Sequence, residues 1–287
     1  MNPSSGGGRA MKALPGVRAR LGELGLEHAL HETRSLAHAR ELAAAAAGRG
    51  RTVVTLSGDG LVGAVAGVLR GRDATLGVLP GGRGNDFVRV AGIPRDPVGA
   101  CDVLRHGTPR AVDVGEVVGA DGVARTFIGI ASVGFDSDAN RIANEAPSRL
   151  GPLVYLYGAL RAVAQWRPAT FALELDGRPS TLKGWSVAAA NSAAYGGGMF
   201  LAPEADLADG LLDVVTSSET GKARFLRGLP RVFKGTHVEL PSVAVQRARE
   251  VRISADRPFD VFADGDPIGR LPATIRAVPG ALRVLLP

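Results

Sequence analysis

From the N-terminus to about residue 105, apolar positions alternate between helical spacing and short β-branched runs. Leu14 to Leu24 is compatible with a helix. Ser35 stands where it can cap a second helix that runs through Leu42 to Ala47 and ends at Gly48. Thr52-Val53-Val54-Thr55-Leu56 reads as a buried strand, and residues 61–70 return to helical spacing. Thr75-Leu76-Gly77-Val78-Leu79 is the next strand, stopped by Pro80, and Asp96-Pro97 opens a helix through Leu104. Strand–helix alternation of this kind predicts a parallel sheet with helices on both faces.

Beyond about residue 108 the pattern changes to strands separated by Gly, Pro and Asp turns. They are Ala111 to Val118, Arg125 to Ser132, Phe171 to Leu175, Gly184 to Ala190 and Leu211 to Thr216, then Val243 to Val245, Val251 to Ser254, Pro258 to Ala263, Ala273 to Ala277 and Leu282 to Leu286. This predicts an antiparallel β-sandwich or barrel. Helices are expected near 151–165 and 221–229, with Gly228 and Pro230 weighing against a single helix across Lys222 to Lys234. The organisation is therefore an α/β domain over 1–107 and a β-sandwich domain over 108–287.

Composition narrows this picture. Apolar residues are 45% of the 287, but aromatics only 5%, so the core is expected to rest on Val, Leu, Ile and Ala. A single cysteine, Cys101, excludes an intrachain disulfide and a thiolate metal cluster, and fits a reducing, cytoplasmic compartment. No stretch approaches the ~20 apolar residues of a membrane span. Met1 to Gly8 lacks a signal-peptide core, so a membrane would be met from its surface. The net charge of +6 is carried mainly by Arg and attracts phosphates, nucleic acid and anionic membrane. No aromatic platform accompanies it, which sets nucleic acid aside.

Two glycine-rich turns carry the candidate chemistry. Ser57-Gly58-Asp59-Gly60 lies between the strand at 52–56 and the helix at 61–70. Ligands of open α/β sheets bind outside the carboxyl ends of strands, where glycine lets the backbone approach a phosphate and a helix N-terminus favours negative charge. Asp59 would repel a phosphate unless a cation intervened, which suggests Mg²⁺ bound with a nucleotide. Leu79-Pro80-Gly81-Gly82-Arg83-Gly84-Asn85-Asp86-Phe87 follows the next strand, and Asn85 or Asp86 can cap the short helix behind it. Taken singly, each turn is also an ordinary βα loop.

The order of these motifs resembles the bacterial diacylglycerol kinase-like lipid kinases, relatives of sphingosine kinases and, more distantly, NAD kinases. That family carries Gly-Gly-Asp-Gly-Thr and then Leu-Pro-x-Gly-Thr-x-Asn-Asp-Phe-Ala-Arg, here Ser57 to Leu61 and Leu79 to Arg89. Asn2-Pro3-Ser4-Ser5-Gly6 looks like its N-terminal nucleotide loop, and Thr33 falls where a family Thr approaches ATP. Asp113-Val114-Gly115, Gly134-Phe135-Asp136, Gly196-Gly197-Gly198-Met199, the run from Ala202 to Asp213, and Asp264-Gly265-Asp266 match further landmarks. The resemblance implies an NAD kinase/phosphofructokinase-like first domain and transfer of the ATP γ-phosphoryl group to a lipid hydroxyl. It implies ATP contacts at Asn2, Ser5, Gly6, Thr33, Ser57, Gly58, Asp59, Gly60, Leu61, Gly82, Arg83, Asn85 and Asp86. It also implies a structural Mg²⁺ on the Asp209 carboxylate and the carbonyls of Asp206 and Leu211, with Asp266 as general base beside Asp59. From the residues alone, Asp209-Gly210 is equally an Asp-Gly turn and Asp266 a hairpin residue.

Departures from the pattern cluster at the nucleotide. Ser57 replaces the first motif Gly, Leu61 the Thr, Arg83 the second Thr, and Ala64 a common Glu. Leu61 removes a hydroxyl, and Arg83 either supplies a charged donor or fills the pocket. The family also has an apolar strand ahead of Asn-Pro, whereas Asn2 here follows Met1. Lys222 to Lys234 mixes basic and apolar residues and can lie on an anionic membrane at the inner face. The alternatives are a non-catalytic nucleotide- or lipid-binding relative and a soluble-metabolite kinase of the NAD kinase type. The oligomeric state stays open, a homodimer included.

Overall fold

The computed structural model describes residues 1–145 and 161–287. A 3-10 turn over Ser5–Gly7 leads into α1 (Arg9–Glu23), which begins before the expected Leu14. α2 (Leu36–Ala47) is capped as predicted, with Ser35 Oγ accepting from His38 N at 3.1 Å. β1 (Val53–Ser57) and β2 (Thr75–Pro80) are parallel, from Val53 opposite Leu76 to Ser57 opposite Pro80. α3 (Asp59–Leu69) connects them, and α4 (Asp86–Val90) follows. The helix expected from Asp96 starts later, as α5 (Cys101–His106), because Asp96 Oδ2 first accepts from Gly99 N at 2.7 Å in a turn.

The remaining strands are β3 (Thr108–Val118), β4 (Ala124–Phe127), β5 (Ile130–Gly134), β6 (Ala169–Leu175), β7 (Arg178–Ala190), β8 (Leu212–Ser218), β9 (Val243–Ala248), β10 (Glu250–Ala255), β11 (Asp260–Ala263), β12 (Asp266–Arg270) and β13 (Ala273–Leu286). α6 (Phe135–Glu145), which the pattern did not predict, follows β5. The helix expected near 151–165 falls largely outside the described residues, of which 161–165 are helical. α7 (Lys222–Val232) is one helix in spite of Gly228 and Pro230. Proline there removes one backbone bond, and tertiary packing of Phe225 outweighs that loss.

Two predicted strand boundaries differ for physical reasons. Arg125 to Ser132 is two strands, because the Ile128 and Gly129 amides leave the ladder to donate to Asp264. The segments 273–277 and 282–286 are one strand, β13, bent by an irregularity between Val278 and Leu282. β13 pairs antiparallel with β3 and also parallel with β2, through Arg283 opposite Thr75 and Val284 opposite Leu76. The parallel strands and the antiparallel ones thereby share a single mixed sheet.

The hydrophobic material divides into distinct clusters. The first, around Leu56, Val62, Leu69, Leu76, Val78 and Leu282, is aliphatic as composition required. The second concentrates the scarce aromatics: Phe135, Trp166, Phe171, Trp185 and Phe259 are buried there. Phe225 of α7 stacks on Trp185 with ring centroids 3.8 Å apart, a contact worth about 0.5–1.5 kcal/mol beyond its buried area.

Candidate active site

Three loops meet at the carboxyl ends of β1 and β2, and they meet through glycine. A Cβ on Gly82 would stand 2.4 Å from Gly58 Cα, and one on Gly6 2.6 Å from the Gly81 carbonyl oxygen. No side chain fits at either distance, so the loops touch backbone to backbone. Ser5 Oγ ties the N-terminal loop to the second one by accepting from Gly58 N at 3.0 Å and from Ser57 Oγ at 3.2 Å. Gly81 N donates to the Ser57 carbonyl at 2.8 Å.

Other predicted nucleotide residues take local duties in the same cluster. Asn2 Oδ1 accepts from Ser4 N and Ser4 Oγ, and Thr33 donates to the Met1 carbonyl. Asn85 and Asp86 do not cap α4. Asn85, in a left-handed conformation with φ of 52°, reaches back to Gly82, accepting from its N at 2.8 Å. Leu61 packs into the aliphatic core at 6% exposure, so only its backbone faces the loops. Arg83 is exposed, with a guanidinium nitrogen 3.6 Å from where a Cβ on Gly7 would lie.

Carboxylates line this cradle. Asp59 Oδ1 accepts from Phe87 N at 3.1 Å, while its Oδ2 and Asp86 Oδ2 lie 3.2 and 3.1 Å from the Cβ position of Gly84. Asp86 Oδ2 accepts from Gly197 N at 2.7 Å, in a loop where Gly196, Gly197 and Gly198 all have positive φ. Burial pushes Asp86 up to about 6, the Asp59 charge adding to it and the Gly197 and Gly198 amides opposing. Asp86 Oδ1 is buried without a protein donor, and Arg89 Nε faces it at 3.8 Å, beyond hydrogen-bond reach. Two acidic side chains with uncommitted oxygens over a glycine cradle suit a hard cation that takes its other ligands from water and phosphate.

The opposite wall is the β11–β12 hairpin. Its two-residue turn, Asp264-Gly265, has φ of 52° and 93°, the conformation that such turns require. Asp264 accepts from Ile128 N and Gly129 N, both at 2.9 Å, and its carboxylate lies against Gly63 of α3. Burial pushes Asp264 up to about 7, with the Asp59 and Asp266 charges adding to the effect and the two amides opposing it. Asp266 is exposed as a residue, but its Oδ2 lies 3.3 Å from the Cβ position of Gly60, and local burial raises its pKa while Arg40 opposes. The hairpin thus sets Asp266 over the first turn of α3, the turn that begins with Asp59.

A family model for the "Diacylglycerol kinase catalytic domain" matches residues 1–117, and one for the "YegS C-terminal NAD kinase beta sandwich-like domain" matches 129–286. The chain belongs to the diacylglycerol kinase family. A diacylglycerol kinase of Mycobacterium tuberculosis is 38% identical over all of this chain and 93% of its own length. One from Bacillus subtilis is 29% identical over all of this chain and 94% of its own. A crystal structure described as a diacylglycerol kinase from Bacillus anthracis superposes with a TM-score of 0.75 at 19% identity, covering all of this chain and 94% of the other. That last likeness concerns the fold, a parallel-stranded α/β region joined to antiparallel strands. The chain is accordingly a kinase of the lipid kinase class, and kinases of this family use ATP.

Within this kinase the expected metal turn packs against β3. Asp206 and Asp209 are exposed, and each closes a local turn, accepting from Ala208 N at 2.9 Å and from Leu211 N at 3.0 Å. Gly210 N donates to Asp113 Oδ2 at 2.6 Å, tying the turn to β3. Among the described residues, no three His, Cys, Asp or Glu side chains gather into a metal site. No helix among them is long and apolar enough to cross a membrane. Sequence reasoning gave Asp264 no role of its own. Its signal was its place one turn residue before Asp266, but only its long-range contacts to Ile128 and Gly129 show that it fixes the hairpin.

Proposed function

We propose that the protein is an ATP- and Mg²⁺-dependent lipid kinase that phosphorylates the hydroxyl of diacylglycerol or a closely related lipid. The observation that supports this best is the placement of Asp266 over Gly60, across from Asp59, at the glycine cradle. Bound ATP supplies the phosphoryl group, and Mg²⁺ offsets the charge of its phosphates. Residues 1–107 hold the nucleotide: Asn2, Ser5, Gly6 and Thr33 from the N-terminal side, Ser57 to Leu61 from the second loop, and Gly82, Arg83, Asn85 and Asp86 from the third. Asp59 and Asp86 offer carboxylate oxygens toward the cation. Asp266 accepts the proton of the lipid hydroxyl as phosphorus is attacked, and its raised pKa brings it nearer the operating pH of a base. Residues 108–287 hold the lipid. Asp209, with the carbonyls of Asp206 and Leu211, would hold a second, structural Mg²⁺.

The test is labelled ATP with Mg²⁺ and a panel of diacylglycerol, sphingosine, ceramide and NAD. Labelled phosphatidic acid is expected. Labelled NADP would reassign the enzyme to soluble metabolites, and no product with ATP binding intact would make it a non-catalytic relative. Asp266→Asn is expected to lower transfer by about 10²–10⁴-fold with ATP affinity unchanged. Activity retained in that variant would refute the base assignment.

A further inference from the structure

Several surface arginines of this protein reach a carboxylate, as Arg20, Arg125, Arg252, Arg270 and Arg283 do. The segment 222–234 concentrates cations on one short helix and the residues just past it. It contains Lys222, Arg224, Arg227, Arg231 and Lys234 and no acidic residue. Arg231 pairs with Glu239, and Lys222 donates to the Ala164 carbonyl. Arg224, Arg227 and Lys234 are exposed and have no carboxylate partner among the described residues.

The other side of α7 is fixed. Phe225 stacks on Trp185 and meets Phe135 edge-on at 4.8 Å, and Val232 is buried. The helix cannot roll its cations inward without breaking that stack. Just past its end stands Phe233, 56% exposed, the most exposed large hydrophobic side chain among the described residues. Cations around an exposed aromatic suit a lipid–water interface, the ring entering the acyl boundary and the cations meeting anionic headgroups. A polyanion without an apolar phase, such as nucleic acid, gives Phe233 nothing to enter.

We propose that the outward side of α7 and the residues just past its end, Arg224, Arg227, Phe233 and Lys234, form the surface by which this kinase docks on an anionic lipid bilayer. One short connection links this segment to the candidate site. Phe200 N donates to the Val232 carbonyl at 2.9 Å, Tyr195 pairs with Met199, and Gly197 in that loop donates to Asp86. The purpose of docking rests on the lipid kinase reading, but the docking itself is measured without ATP or acceptor, so the two fail separately.

The experiment is sedimentation of the full chain with phosphatidylcholine vesicles, with and without phosphatidylglycerol. Wild type is expected on the anionic vesicles only and released by salt. Each lost cation near the surface is worth about fivefold in partitioning. The combined Arg224→Gln, Arg227→Gln and Lys234→Gln variant should therefore bind about a hundredfold more weakly. Phe233→Ser should weaken binding without changing its salt dependence. All substitutions are at exposed positions, so thermal melts matching wild type are expected, as is unchanged phosphorylation of acceptor in neutral detergent micelles. Vesicle binding by the combined variant equal to wild type would overturn the proposal. So would failure of the wild type to bind anionic vesicles, or tighter binding to duplex DNA than to them.

Discussion

Asp59 begins the first turn of α3 and Asp266 faces that turn, yet different physics holds each of them there. On the N-terminal side the loops are close in sequence to the strands that launch them, and they lock by steric fit, glycine against glycine. The distance from Gly58 Cα to a Cβ on Gly82 would be 2.4 Å, so this side admits no side chain between the loops. The hairpin side arrives from the far end of the chain and is held by one carboxylate, Asp264, on two amides at 2.9 Å each. There the burial of charge opposes the hydrogen bonds, and Asp264 rises to about 7. Burial also pushes Asp86 of the third loop up to about 6, so both halves bury a carboxylate, and only the glycine-locked half is in addition limited by volume.

The sharpest break of that contrast is Gly82→Ala. The added methyl would meet Gly58 backbone at 2.4 Å and Asn85 Oδ1 at 3.0 Å, so one loop must move. A displacement of about 1 Å at reacting groups costs about 10²-fold in rate, and overpacking of this kind costs about 1–3 kcal/mol in stability. Turnover and a denaturant melt measure both. Gly22→Ala on α1, where nothing lies within 4 Å of the new methyl, is the matched control. It should leave turnover unchanged and stabilise by up to about 1 kcal/mol. A Gly82→Ala enzyme as active as wild type would mean that the loops do not lock through glycine.

Asp264→Asn probes the electrostatic half. Asparagine tolerates the left-handed backbone but can satisfy only one of the two amides, leaving the other short of an acceptor at about 1–3 kcal/mol. The pH dependence gives the sign. Asp264 has a folded pKa above its unfolded value, so the folded state binds the proton more tightly. The stability it contributes is full below about pH 4 and is lost as pH rises through about 7. Comparison with the variant cancels the other titrating groups. The stability gap between wild type and Asp264→Asn should be widest below about pH 4, shrink as pH rises, and level off above about pH 7. A gap that widens with pH would make the ionised carboxylate the stabilising form.

The same contrast explains what could be read from the sequence. Ser35 was legible as a cap, and Thr52–Leu56 and Thr75–Leu79 as strands, because period, cap and turn chemistry all lie within a few residues. Both glycine turns were legible for that reason. The break in Arg125–Ser132 was not, since its cause is Asp264, more than 130 residues on. α6 was missed because it follows β5 directly, at Gly134, whose φ is 96°. α7 was doubted at Gly228 and Pro230, and the reason it persists is Phe225 against Trp185, a contact without sequence proximity. The Asp264–Asp266 hairpin could be read as a turn, while its seat against Gly60 and Gly63 depends on sheet pairing far from both.

Arg83→Ala asks how far the volume-sensitive half also carries charge. Leu61 and Arg83 both depart from the family pattern, but they have parted ways in space. Leu61 is buried in the aliphatic core and has left the loop surface without a hydroxyl. Arg83 is exposed beside Gly7, at the edge of the cradle, with no carboxylate partner among the described residues. A cation there adds charge where nucleotide phosphates would lie, yet solvent screens it, which keeps the expected effect small. The ATP KM should rise a few-fold, with kcat little changed and the rise shrinking at high salt. Arg83→Lys should recover the salt-dependent part but not the directional part, because an ammonium lacks the planar fork of guanidinium. A KM equal to wild type in both variants would leave Arg83 a solvated side chain, and the cradle would then bind through backbone amides and Ser5 alone. A fall in kcat with KM unchanged would instead place the guanidinium on the transferred group, and the steric half of the site would share the chemistry assigned to the hairpin.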